Sequence, residues 1–111
     1  MRFEESKVGR ILVAKVLDSR IAADVAPQFR AHMAGYLKSG ERCIVLDLGD
    51  VSFIDSSGLG ALISSLKGIG SEGHLVISGA RGTVATMFKL TRMDKILRLF
   101  STTEEAVAAI S

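Results

Sequence analysis

"FIDSSGLGAL", residues 53–62, sets one acid and two hydroxyls between two apolar stretches, and its reading decides the fold. Upstream, "RCIVLDL" (42–48) is a continuous apolar run of the kind that lies at the centre of a parallel sheet. Downstream, Leu59, Leu62, Ile63, Leu66 and Ile69 recur at i, i+3, i+4, i+7 and i+10, the apolar face of a helix from about Ser57 to Ile69. A buried strand, a short loop and an amphipathic helix therefore meet at the motif.

The same reading extends outward in both directions. "RILVAKVL" (10–17) is aliphatic apart from Lys15 and reads as a strand, with "MRFEES" before it as a first strand that pairs or frays. Residues Asp24 to Lys38 read as a helix: Asp24 is placed to cap it, Pro27 suits its first turn, and Phe29, Met33, Tyr36 and Leu37 fall at helical spacing. "HLVIS" (74–78) is another strand, Thr83–Thr91 a third helix, and "KILRLF" (95–100) a last strand. "TTEEAVAAI" (102–110) closes the chain as a helix, with Thr102 and Glu105 spaced as in a capping box. Strands and helices alternate, which predicts an α/β fold with a largely parallel sheet. In such sheets functional groups gather at the C-terminal ends of the strands, where both the opening motif and "SGARG" (78–82) fall.

Length and composition narrow the function classes. With 111 residues the expectation is one domain over 1–111. A chain of this size buries about 60–70% of its unfolded surface and needs no metal or disulfide to hold a core. It is 48% hydrophobic and 23% charged, with a net charge of +2 and no block of basic residues, so no direct nucleic-acid partner is expected. Cys43 is alone and reads as a small buried hydrophobe. The first residues carry acids and no cleavable apolar core, and no uncharged stretch reaches the ~18–20 residues of a membrane span. A cytoplasmic protein without membrane insertion is expected.

Several chemistries compete for "DSSGLG". The plainest is a helix cap: Asp55 or Ser56 accepts hydrogen bonds from the free amides of the first turn, and Gly58 and Gly60 serve packing. A nucleotide site is disfavoured, because Ile63 stands where a third glycine would and Asp55 would repel phosphate. The formal GxGxxG at Gly68, Gly70 and Gly73 closes a helix and precedes a strand, the reverse of the dinucleotide arrangement. Ile54 and Asp55 precede the serines where a nucleophile elbow needs G-x, and only His32 and His74 offer a base, so a hydrolase is disfavoured. Two distant histidines and one cysteine show no metal-ligand spacing. The remaining reading makes a serine hydroxyl a kinase substrate. A phosphate at a helix start would favour the fold by about 0.3–1 kcal/mol. The same charge, unpaired at a docking surface, would cost about 2–5 kcal/mol.

"IVLDLGDVSFIDSSGLGALISSLKGI" (44–69) resembles the signature of STAS domains, and of bacterial anti-sigma factor antagonists in particular. "VAPQFRAHM" (25–33) is similar to the family's first helix after an Ala-Pro pair, and "LTRMDKILRLF" (90–100) to its C-terminal part. The resemblance implies a small mixed, largely parallel sheet of four to five strands flanked by about four helices, gathered on one side. It implies a non-enzymatic switch without a cofactor. Its unphosphorylated form binds an anti-sigma factor that is also a serine kinase, freeing a sigma factor. The kinase, using its own ATP and magnesium, phosphorylates the serine after the motif's aspartate, which is Ser56 here, and a PP2C-type phosphatase resets it. Ser57 is then the cap or the fallback acceptor, and Asp55 orients the hydroxyl and the docking surface. The partner surface is expected on the exposed side of the second helix's start, with Gly58, Ala61, Ser64 and Ser65. One departure stands out. Where many members carry an aspartate near the phosphorylated serine, this chain has Ala22; Asp24, two residues on, either substitutes for it or caps its own helix, and the cap is favoured. The alternative is a constitutive STAS interaction or scaffold subunit of a transporter or signalling assembly, never phosphorylated.

Overall fold

The computed structural model describes residues 1–111 throughout. Strands β1 (Phe3–Val8) and β2 (Ile11–Val16) form an antiparallel hairpin, turned at Gly9, whose φ of +60° suits a residue without a Cβ. A two-residue strand β3 (Arg20–Ile21) precedes helix α1 (Ala26–Lys38), which leads to β4 (Cys43–Asp47). A second two-residue strand, β5 (Phe53–Ile54), enters α2 (Ser56–Ile69), and β6 (His74–Ser78) follows. Then come α3 (Gly82–Leu90), β7 (Leu99–Phe100) and a last helix, α4 (Thr103–Ile110). Strands β2, β4, β6 and β7 run parallel in the sheet order β1-β2-β4-β6-β7. The short strands β3 and β5 pair parallel with each other, apart from that sheet.

The central strands alternate between two apolar clusters. Leu12, Ala14, Val16, Ile44, Leu46, Leu75 and Ile77 face the cores of α1, α2 and α3, where Phe29, Met33, Leu62 and Phe88 are fully buried. Ile11, Val13, Cys43, Val45 and Val76 face the other way and are covered by Ala106, with Val107 and Ile110 packed alongside. The helices are therefore not all on one side, as the resemblance implied: α4 lies on the opposite face. The reason is in "CIVLD", which is apolar on both faces, so each face needs a cover. Asp47 secures that cover at the helix start: its carboxylate accepts from the Thr103 hydroxyl at 3.3 Å, and Thr103 lies 3.0 Å from the Ser78 hydroxyl.

Three local expectations change. Asp24 does not cap α1. The turn before the helix closes through backbone bonds from Val25 and Ala26 to the Ala22 carbonyl, the cap position is Val25 without a side-chain bond, and the Asp24 carboxylate turns out to the Arg20 guanidinium at 3.4 Å. "KILRLF" is a strand only over Leu99–Phe100; a 3₁₀ turn takes Met93–Lys95, entered through Arg92 at φ +61°. Residues 53–54, expected within the loop at the motif, instead pair with residues 20–21 as β5 and β3.

Candidate functional site

The β3–β5 pair delivers the chain to α2 at the C-terminal edge of the parallel strands. Ile54 points inward and is fully buried, so Phe53 points outward and is 41% exposed, with the Arg20 guanidinium 5.7 Å from its ring centre. Asp55 then adopts an extended conformation and caps α2: one carboxylate oxygen accepts from the Gly58 amide at 3.0 Å, the other from the Ala23 amide at 3.1 Å. The acid thus ties the start of α2 to the turn before α1. The Gly58 amide first, then those of Ala23 and Ser57 and the nearby Arg20 charge, hold the Asp55 carboxyl below the usual carboxylate range, against an opposing effect of desolvation. It is an anchor, charged and saturated by amides, and a poor base.

Ser56, the first residue of α2, is exposed, and Ser57 is half-buried. Neither histidine is placed to activate a hydroxyl there. His32 stacks on Phe3 at 4.3 Å between ring centres, and His74 opens β6, at the opposite end of the parallel strands from the motif. The arrangement presents a hydroxyl without activating it.

The expected partner surface is only partly on the outside. Ser64 is exposed, but Gly58, Ala61 and Ser65 are buried, which removes them from any contact surface. A Cβ at Gly58 would collide with the Ile21 carbonyl oxygen and come within 2.8 Å of Ile54 Cγ1. Ala61 and Ser65 lie on the side of α2 packed in the core, and the Ser65 hydroxyl donates back to the Ala61 carbonyl at 2.9 Å. Small residues here serve close packing within the chain. Ala22 is also buried, at 3% exposure, whereas Asp24 is exposed beside Arg20; a carboxylate at position 22 would have to leave water. Two exposed neighbours of Ser56 were not anticipated, Phe53 and Arg20. The period-2 alternation of "SFI" around the inward Ile54 is the signal that places Phe53 outside.

With this geometry in view, comparison with known proteins is informative. The STAS domain family profile matches residues 7–106. A Bordetella bronchiseptica protein provisionally named anti-sigma factor antagonist BtrV is 29% identical over 110 residues, covering 98% of this chain and 94% of its own. The anti-sigma-B factor antagonist of Staphylococcus aureus is 25% identical over 104 residues, covering 93% of this chain and 88% of its own. The crystal structure of a Thermotoga maritima protein, provisionally assigned as an anti-sigma factor antagonist, superposes with a TM-score of 0.88 at 26% identity, over 97% of this chain and 93% of that one. The family match spans most of the chain and the fold superposes closely on that crystal structure: this chain belongs to the STAS domain family.

Proposed function

We propose that this chain is an anti-sigma factor antagonist, a non-enzymatic binding switch controlled by phosphorylation of Ser56. The observation that carries the proposal is the exposed Ser56 hydroxyl at the first position of a helix whose start is fixed by Asp55. In the unphosphorylated form the surface around Ser56, with Asp55, Ser57 and Phe53 beside it, Asp24 on the turn before α1 and Ser64 about two turns along α2, binds an anti-sigma factor that is also a serine kinase. That binding releases a sigma factor in the cytoplasm. Phosphorylation adds about −1.5 to −2 charges at the centre of that contact and ends it, while a PP2C-type phosphatase restores it. Ser57 is the second choice of acceptor, being half-buried. The relatives' names support the anti-sigma factor antagonist part of this reading.

A second reading, a constitutive scaffold subunit, draws support from Ala22, where a buried methyl stands in place of an acid near the serine. Calorimetric titration separates the two. A purified anti-sigma factor kinase from the same cells is titrated with the unmodified chain and with the chain carrying genetically encoded phosphoserine at position 56. The switch predicts binding by the first and a loss of about 30-fold or more by the second. Equal affinities contradict it and favour the scaffold.

A further inference from the structure

Arg30 on α1 is exposed and its guanidinium lies against α2 at Gly60, one turn past Ser56, at the head of a groove that runs on to Ser64 and Ser65. One guanidinium nitrogen is 3.7 Å from the place a Cβ would occupy at Gly60. Cα–Cβ bonds of a helix tilt toward its N-terminus, so that place lies toward the first turn of α2. Ser56 stands four residues before Gly60, a spacing that puts two positions on one helix face about 5–6 Å apart. The three ion pairs of the chain are Lys7–Glu41, Lys15–Asp50 and Arg20–Asp24, so the Arg30 charge is uncommitted. Arg20, the other guanidinium near the motif, is held by Asp24 and by the Phe53 ring.

We infer that Arg30 is the internal partner of a phosphate on Ser56, reaching it across the bare backbone of Gly60. This rests on the reading of Ser56 as a phosphoacceptor and adds what happens to the group once it is there. The guanidinium offers paired N–H donors to phosphate oxygens, a geometry that lysine does not reproduce. Gly60 leaves the path open: a methyl there would only touch the guanidinium at 3.7 Å, whereas a longer side chain would stand between the two. The phosphorylated form then carries its added charge against α1, bridging the α1–α2 seam, and the modification closes a contact within the chain as it opens one with the partner.

The test uses the full chain with phosphoserine encoded at position 56, so that its outcome is independent of whether a cellular kinase acts there. The phosphate is titrated by ³¹P NMR in the otherwise unaltered chain, in Arg30→Gln and in Arg30→Lys, with amide spectra verifying each fold. The second phosphate ionisation is expected to be about 0.5 lower in the chain that keeps Arg30 than in Arg30→Gln, and Arg30→Lys should recover part of the difference. High salt should narrow the gap. Identical titrations for the unaltered chain and Arg30→Gln overturn the inference while leaving the phosphoacceptor reading intact. Absence of phosphate on the natural protein would do the reverse.

Discussion

Two helices, α2 and α3, begin at the C-terminal ends of neighbouring parallel strands, and their starts are built in opposite ways. At α2 the Asp55 side chain caps the helix and reaches across to Ala23, and Gly58 is sealed against Ile21 and Ile54. At α3 the cap position is Arg81 without a side-chain bond, Gly82 has φ +55° with open space around it, and the Arg81 guanidinium reaches the Gly49 carbonyl at 3.1 Å. A start held by side-chain and packing contacts presents its first residue in one position. A start tied only through the Arg81 guanidinium to a loop carbonyl, with open space at Gly82, leaves that position less constrained. Ser56 occupies the constrained one, which suits a hydroxyl that a kinase and a binding partner must both recognise.

The largest expected effect comes from adding a methyl to each start. Gly58→Ala forces a Cβ into the Ile21 carbonyl and should cost about 3 kcal/mol, the upper part of the range for overpacking. Gly82→Ala meets nothing within 4 Å and should cost about 1 kcal/mol, from the left-handed backbone alone. Urea unfolding midpoints of the two variants measure the difference, and equal losses would erase the distinction between the two starts.

Acid comes next. Because the folded chain holds the Asp55 carboxyl below its ordinary value, the cap stabilises fully above that value. Its contribution fades as the pH falls through the lowered folded value. Urea midpoints followed from pH 6 to pH 2 should therefore drop more steeply for the unaltered chain than for Asp55→Asn. A parallel decline would mean that the carboxylate charge is not what fixes the start of α2. The smallest effect is expected at Ser56 itself. It is exposed, so Ser56→Ala should shift stability by no more than about 0.5 kcal/mol, measured by the same unfolding, while removing the acceptor hydroxyl.

Much of this was legible in the sequence because apolar period and strand–helix alternation report directly on burial. The run 43–47, the face of α2 through Leu59, Leu62 and Ile69, and the Thr102 cap of α4 all stand where the pattern puts them. Other features depend on contacts between distant segments. Two-residue strands such as Arg20–Ile21 and Phe53–Ile54 are too short to carry a period, and only their mutual pairing defines them. Asp24 has the residue type of a cap, yet the backbone turn at Ala22 does that work and leaves the acid to Arg20. At the site, the Asp55 cap was readable from local helix chemistry. Gly58, Ala61 and Ser65 were not, because smallness fits an outer docking face as well as a tight inner one, and only the packing of α1 and β3 on α2 decides between them. Arg30 was invisible for the same reason: its closeness to Gly60 is a product of how two helices meet.

The most direct test of the switch is the mass of the protein taken from its own cells with phosphatases inhibited, followed by fragment mapping. One added phosphate, located on Ser56 and absent from Ser56→Ala, is the expected result. An unmodified chain under every growth condition, or a phosphate carried elsewhere with Ser56 bare, would contradict it.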